Sequence, residues 1–130
     1  MKLLERLKLF EKTMAGLEKS VVIVEGKKDE AALREVGFAG VVLTANGSVE
    51  RFVAKACRIA GSKQIALLFD YDVEGRRKTR FFKERFELEG IRADDLLWKK
   101  LRVALGLRVV EELVSKLVEL NKKISKDGDE

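Results

Sequence analysis

Three short runs of apolar residues constrain the fold of this chain more than any other feature. They cover residues 21–24, 41–43 and 65–69, and a stretch with helical periodicity separates each run from the next. Continuous apolar runs of this length are typical of strands that are buried in a parallel sheet. Strands that alternate with helices indicate βαβ units with right-handed crossovers. The sequence therefore predicts an α/β fold, with a parallel sheet of about four strands flanked by helices.

Helical periodicity accounts for most of the remaining residues. The predicted helices cover residues 2–18, 27–36, 49–60, 76–89, about 95–105 and 113–124. Residues 107–110 are either a short fourth strand or the start of the last helix. We expect residues 1–19 to form an amphipathic helix packed on a domain of residues 20–124, with a disordered polar tail at 125–130. The apolar face of the first helix favours core packing over its alternative, a homodimer or partner interface.

Acidic residues directly follow two of the apolar runs. Glu25 follows the first run, and Asp70 and Asp72 follow the third. The carboxyl ends of parallel strands are where ligands of open α/β folds bind, and side chains two apart on a strand point the same way. Converging carboxylates repel each other unless a cation neutralises them. Hard oxygen ligands favour Mg²⁺, with Mn²⁺ as an alternative, so the sequence predicts a metal site for phosphate chemistry.

The composition limits the chemistry that these residues can perform. The chain has no histidine and a single cysteine, Cys57. These counts exclude a Ser-His-Asp triad, a His-ligated metal, a cysteine-rich zinc site and an internal disulfide framework. Catalysis must therefore use carboxylates, lysines, hydroxyls and a metal. The sequence shows no signal peptide and no apolar run long enough to span a bilayer, so we expect a cytoplasmic protein.

Lysine side chains stand at the start of the helix that follows Glu25. Lys27 and Lys28 come directly after Gly26, whose missing side chain lets a ligand approach the backbone. Backbone N–H groups at a helix start attract phosphate, so these residues are candidate phosphate ligands. The alternative is an ordinary strand–turn–helix junction with solvated charges.

A basic stripe begins beside the predicted acidic site. Arg76, Arg80 and Lys83 share one face of the helix that follows residues 65–75. A phosphodiester backbone can lie along such a stripe, and the net charge of +5 is compatible with a polyanionic partner. The alternative is a solvated helix face whose cations pair with Glu84 and Glu87.

Two aromatic residues near these charges have more than one interpretation. Tyr71 is either a nucleophile or a packing residue. Trp98, followed by Lys99, Lys100 and Arg102, is either a clamp for a strand of nucleic acid or a half-buried residue of an amphipathic helix. In both cases packing is the plainer interpretation.

Three sequence blocks together resemble the Toprim domain, the catalytic module of type IA and type II topoisomerases, bacterial primases and several nucleases. The blocks are VVIVEG at 21–26, VVLTANG at 41–47 and LLFDYDVEG at 67–75. The resemblance spans about residues 20–89 and implies the Toprim sheet, which is Rossmann-like. As a whole, the chain looks most like the small stand-alone Toprim proteins of archaea and some bacteria.

The resemblance implies a role for each matching residue. Glu25 would act as general acid/base or as a metal ligand, and Asp70 and Asp72 would be the Asp-x-Asp pair that holds Mg²⁺. Gly47 would form a turn near the substrate, and Gly75 would complete the third block. The implied substrate is nucleic acid, either RNA or DNA.

Three classes of function are compatible with these features. The first is Mg²⁺-dependent cleavage or transfer of phosphodiesters in nucleic acid, with Glu25 moving the proton. The second is a non-catalytic nucleic-acid-binding or adaptor module that uses the metal site to grip phosphate. The third is a binder of nucleotides or other small phosphates.

Overall fold

A parallel sheet of four strands forms the centre of the protein, in a computed structural model that describes residues 1–127. The strands are β1 (Val21–Val24), β2 (Val41–Thr44), β3 (Ile65–Leu68) and β4 (Ala93–Asp94). The helices are α1 (Leu3–Glu18), α2 (Lys27–Glu35), α3 (Val49–Ala60), α4 (Val73–Leu88), α5 (Leu96–Leu105) and α6 (Leu113–Asp127), with a 3-10 helix at Val110–Glu112. The strand order is β2-β1-β3-β4, and all pairs are parallel. The α/β prediction, with a parallel sheet flanked by helices, is confirmed.

The two central strands, β1 and β3, are buried on both faces, as their continuous apolar sequences predicted. Successive side chains of a strand point to opposite faces, so each strand supplies two cores. Val22 and Val24 pack with α1, α2, α5 and α6 on one face. Val21 and Ile23 pack with α3 and α4 on the other. The helices therefore cover the sheet on both sides and leave its edges for function.

Helix α1 packs inward, which is the plainer of its two predicted interpretations. Its buried residues are Leu3, Phe10, Thr13, Met14 and Leu17. Its apolar residues belong to the same buried cluster as residues of α5 and α6. The first helix and the last two helices therefore form one layer over the sheet.

The fourth strand is not where the sequence predicted it. Ala93–Asp94 pairs with the start of β3, whereas residues 107–109 form a loop before the 3-10 helix. A strand of two residues within a polar segment has no apolar run that periodicity could detect. The interpretation of residues 107–110 as a strand is therefore wrong, and this segment instead leads into the last helix.

The C-terminal prediction also needs correction. Helix α6 continues to Asp127, so residues 125–127 are helical although we expected a disordered tail from 125 onward. Residues 128–130 lie outside the described residues. The polar residues near the end of α6, namely Asn121, Lys122 and Lys123, are exposed and suit a solvated helix end. By composition alone, such a helix end resembles a disordered tail.

Candidate functional site

The structure brings Glu25 and Asp70 together at the carboxyl edge of the sheet. They follow β1 and β3, which are parallel neighbours with Val24 opposite Leu68. The two strands therefore end side by side at the same edge of the sheet. Oε2 of Glu25 accepts a hydrogen bond of 2.8 Å from the backbone N–H of Asp70. These two acids therefore lie together at the carboxyl edge of the sheet, as the sequence predicted.

A lysine that we did not predict binds the other oxygen of Glu25. Nζ of Lys78, from the second turn of α4, donates a hydrogen bond of 2.8 Å to Oε1 of Glu25. This hydrogen bond raises the pKa of Lys78, which therefore stays charged. The Glu25 side chain is only 23% exposed, so the ion pair is partly shielded from water. Lys78 lies in the basic segment Arg76–Arg80, and nothing in the sequence distinguishes it from its neighbours.

The carboxylate of Asp70 is the least compensated charge at this edge. Among residues 1–127 it has no hydrogen-bond donor and no ion-pair partner. Burial, together with the negative charges of Glu25, Asp29, Asp72 and Glu111, raises the pKa of Asp70 to about 6. We call these five acids the acidic edge. Ionisation of Asp70 therefore raises the free energy of the folded protein, and a bound cation would offset this increase.

Asp72 serves as the N-cap of α4. Its Oδ1 accepts a hydrogen bond of 2.7 Å from the backbone N–H of Gly75, and its side chain is otherwise exposed. Aspartate is favoured at this position because its carboxylate satisfies a free N–H and interacts well with the helix dipole. Helix α4 consequently begins at Val73, so our prediction of a loop as far as Gly75 is wrong. The second oxygen of Asp72 remains available to a ligand.

Gly75 allows α4 to touch the end of β3. A Cβ atom at this position would lie 1.7 Å from the carbonyl oxygen of Asp70 and 2.7 Å from its carbonyl carbon. No side chain fits in this space, since the neighbouring atoms belong to the backbone. Gly75 is buried and its N–H is bonded to Asp72, so its role here is steric. A contact between Gly75 and phosphate remains a prediction.

Asp29 and Glu111 extend the acidic edge beyond the acids that we predicted as ligands. Asp29 is 6% exposed, and its Oδ2 accepts a hydrogen bond of 3.1 Å from the N–H of Gly26. Burial raises the pKa of Asp29, the hydrogen bond from Gly26 opposes this, and Glu111 and Glu25 raise it further. Glu111 comes from the 3-10 helix, far along the sequence, so no local motif could have indicated it.

The other predicted phosphate ligands lie around this edge. Lys27 and Lys28 are exposed at the start of α2, whereas the N–H of Gly26 is already donated to Asp29. Gly47 has φ of +72°, a left-handed conformation that favours glycine, in the turn between β2 and α3. This turn borders a groove of about 410 Å³ along β2. Binding of phosphate by these residues remains a prediction.

The basic stripe of α4 is exposed along its length. Arg76, Arg80 and Lys83 form no ion pair with any other described residue, so the predicted pairing with Glu84 and Glu87 does not occur among residues 1–127. Cζ of Arg76 lies 5.3 Å from the centroid of the Tyr71 ring. The stripe is therefore accessible to an anion, and its contact with nucleic acid remains a prediction.

The donors of the acidic edge suit a hard cation, but they are not gathered into a cage. Within the described part of the chain, no group of three or more His, Cys, Asp or Glu side chains is placed to hold a metal ion. Lys78 neutralises Glu25, and Gly75 engages one oxygen of Asp72. Asp70 is unengaged, and carboxylate oxygens are the ligands that Mg²⁺ prefers. The donor chemistry of Asp70 thus suits a hard cation, and metal binding there remains a prediction.

These features define a class of protein, namely α/β domains with a glutamate after one central strand and an Asp-x-Asp pair after its parallel neighbour. The sequence pattern of the Toprim domain matches residues 19–96, which is more than half of the chain. The protein therefore belongs to the Toprim domain family, as the three sequence blocks indicated. The match ends at the start of α5, so α5, the 3-10 helix and α6 lie beyond it.

The chain is also similar to other proteins over most of its length. The chain is 29% identical over 111 residues to the UPF0292 protein TV1259 of Thermoplasma volcanium, covering 82% of this chain and 87% of the relative. It is 26% identical over 111 residues to the UPF0292 protein MJ1624 of Methanocaldococcus jannaschii, covering 84% and 87%. A solved structure of a protein from Aquifex aeolicus is also similar, with a TM-score of 0.63 and 26% identity, covering 83% of this chain and 94% of that one.

Membership relates the protein to metal-binding and nucleic-acid-related functions, which are typical of Toprim domains. As for membranes, none of the helices within residues 1–127 has both the length and the apolar character needed to cross one.

Proposed function

We propose that the protein cleaves or transfers phosphodiester bonds of nucleic acid in the presence of Mg²⁺. The observation that carries this proposal is the carboxylate of Asp70, which lies next to Glu25, has a raised pKa and has no partner among residues 1–127. Strongly perturbed acids at a ligand-binding edge of an α/β sheet are candidates for catalytic groups. Mg²⁺, or Mn²⁺ in its place, would orient the scissile phosphate and neutralise developing charge.

Each acid has a distinct role in this proposal. Asp70 and the free oxygen of Asp72 would hold the metal. Glu25 would accept or return the proton of the attacking or leaving oxygen, as a general acid/base. Its two hydrogen bonds, from Lys78 and from the N–H of Asp70, fix the orientation of its carboxylate. Asp29 fixes the turn at Gly26 that follows Glu25.

Lys78 would help to bind the phosphate that reaches Glu25. Its side chain is 44% exposed, and the ion pair with Glu25 uses one of the three N–H donors of its ammonium group. A phosphate oxygen that approaches from solvent can therefore bind Lys78 while the ion pair persists. Lys27 and Lys28, exposed at the start of α2, would meet the same phosphate, whereas Arg76 and Arg80 would contact the backbone of the strand.

A second candidate function is a non-catalytic module that grips nucleic-acid phosphate. The ion pair between Lys78 and Glu25 favours it, because a protein cation already occupies a position where a metal-dependent enzyme needs metal charge. In this alternative, Lys78 and the basic residues of α4 would bind phosphate without turnover. Mg²⁺-dependent product formation separates the two candidates.

Digestion of a panel of structured RNA, single-stranded RNA and DNA tests the proposal. We expect cleavage with Mg²⁺ and none with chelator, and we expect Glu25→Gln to slow turnover by about 10²-fold, as for the loss of a general acid/base. Glu11→Gln, an exposed glutamate of α1, is the matched control and should retain full activity. Binding of these substrates without Mg²⁺-dependent cleavage of any of them would reject the enzyme and favour the non-catalytic module.

A further inference from the structure

We propose that Arg102 and Arg108, which lie beyond the Toprim match, bind a phosphate of the nucleic-acid strand next to the phosphodiester that is cleaved. This inference rests on the proposed function for the identity of the ligand. It assigns a role to the segment after residue 96, and it makes a strand of nucleic acid, rather than a mononucleotide, the substrate.

The guanidinium of Arg102 lies against two aromatic rings. Its Cζ lies 3.7 Å from the centroid of the Tyr71 ring and 5.6 Å from that of the Trp98 ring. Trp98 is only 2% exposed, so it cannot stack on a base, and the clamp that the sequence suggested for it is excluded. Trp98 instead supports the guanidinium of Arg102 from the core side.

The guanidinium of Arg102 lacks any polar partner within residues 1–127. Its Nε is buried and has no hydrogen-bond acceptor, and no carboxylate pairs with the group. Buried polar atoms without partners are costly, and charged ones more so. Arg108 likewise forms no ion pair within the described part of the chain. Within this part of the chain Arg102 has no counter-ion, and Arg108 has only a Coulombic attraction to Glu112, so the two guanidinium groups beside the same pocket can still bind an anion.

A cavity lies between these arginines. It has a volume of about 460 Å³ and is lined by Tyr71, Arg102, Val103, Leu107 and Arg108. Pockets of this size accept a small ligand group. Two cations at an otherwise apolar wall match a phosphate, which guanidinium groups bind through paired hydrogen bonds.

The cavity adjoins the acidic edge through Tyr71. The N–H of Tyr71 donates a hydrogen bond of 2.7 Å to the carbonyl oxygen of Arg108, which fixes the loop after α5 beside β3. Tyr71 stands between Asp70 and Asp72 in the sequence, so the cavity is next to the proposed metal ligands. A phosphate bound there belongs to a nucleotide that flanks the reacting one, because the reacting phosphate must lie at Asp70.

Arg76 also contacts Tyr71, with its Cζ 5.3 Å from the ring centroid, and so continues the same cationic surface. The two arginines that contact this ring come from different elements, α4 and α5. The strand would therefore pass from the cavity across Tyr71 to the acidic edge.

Binding measured in chelator tests the inference without any cleavage. The probe is a labelled single-stranded oligonucleotide, as RNA and as DNA, followed by fluorescence anisotropy over a range of salt concentrations. Arg102→Gln and Arg108→Gln should each weaken binding and reduce the salt slope by about one unit, as expected for loss of one phosphate contact. Arg58→Gln is the matched control, because Arg58 is exposed near the end of α3 on the opposite face of the sheet and has no ion-pair partner among residues 1–127.

The outcomes separate this inference from the proposed function. Salt slopes for both variants equal to that of Arg58→Gln overturn the inference, as does equal competition by polyglutamate, which would indicate a protein carboxylate as the ligand. Cleavage with Mg²⁺ in that case leaves the proposed function intact. Binding that depends on Arg102 and Arg108 without any cleavage supports a phosphate site at these two arginines and rejects the enzyme. If Arg102→Gln lowers the thermal stability, the exposed Arg108 decides the question.

Discussion

Replacing Asp70 by asparagine is expected to reduce Mg²⁺-dependent cleavage by about 10³-fold, since loss of several kcal/mol of charge stabilisation by the metal corresponds to such a factor. The same variant is expected to be more stable than the wild type in chelator near neutral pH. Activity falls and stability rises because, in this account, the ionised Asp70 serves as a metal ligand but lowers the free energy of unfolding when no metal is bound. Glu11→Gln is the matched control and should change neither quantity.

The pH dependence of this stabilisation follows from the raised pKa of Asp70. Burial, followed by repulsion from Glu25 and the other acids, raises this pKa from 3.8 to about 6, so the folded state binds the proton more tightly than the unfolded state. The free energy of unfolding of the wild type should therefore fall as pH rises through this window. Below it, Asp70 is protonated in both states and the penalty is absent.

Asparagine does not ionise, so the gain in the free energy of unfolding of Asp70→Asn over the wild type should appear as pH rises through the same window and level off above it. After allowance for solvent screening, we expect this gain to reach about 1 to 2 kcal/mol. Thermal melts in chelator at a series of pH values measure this difference. A variant that is less stable than the wild type near neutral pH would show that the carboxylate of Asp70 supports the fold.

Replacing Gly75 by alanine is expected to destabilise the protein by about 3 kcal/mol, the upper end of the usual cost of overpacking. The added Cβ would meet the backbone of Asp70 at 1.7 Å, and a strand end cannot yield as a flexible side chain does. Helix α4 must then move away from β3, which would displace Lys78 from Glu25 and lower activity as well.

Gly26→Ala is the matched control, because no heavy atom lies within 4 Å of a Cβ built at this position. Its cost should stay below about 1 kcal/mol, since only the N-cap preference of α2 is affected. Denaturant unfolding compares the two variants. Alanine is a better helix former than glycine by about 1 kcal/mol. A Gly75→Ala protein as stable as the wild type would therefore contradict the close contact between α4 and Asp70.

The sequence predicts the central elements well because their signals are local. The runs at 21–24 and 65–69 are buried on both faces, and parallel pairing then places Glu25 beside Asp70. The start of α3 has an equally local signal, since Ser48 is its N-cap and its Oγ accepts a hydrogen bond of 3.4 Å from the N–H of Arg51. Alternation of strands and helices suffices for the sheet, because each strand must bury both faces.

Features that depend on distant pairs were not predictable. The ion pair of Lys78 with Glu25 joins residues 53 positions apart, and no spacing rule relates them. Arg102 reaches Tyr71 only because α5 packs on the sheet beside β3. Strand β4 has two residues and no apolar run. In each case the tertiary packing, which local periodicity does not encode, decides which side chains meet.

Titration of the isotope-labelled protein with Mg²⁺, followed by the backbone amide signals of residues 69–73, tests the central claim most directly. Since few protein ligands hold the ion and water completes its coordination, we expect weak binding that saturates at millimolar Mg²⁺. The shifts should be largest at Asp70 and Asp72, should extend to Glu25, and should be lost in Asp70→Asn but kept in Glu11→Gln. Signals of residues 69–73 that do not move at millimolar Mg²⁺, or that move equally in Asp70→Asn, would contradict a metal site at this edge of the sheet.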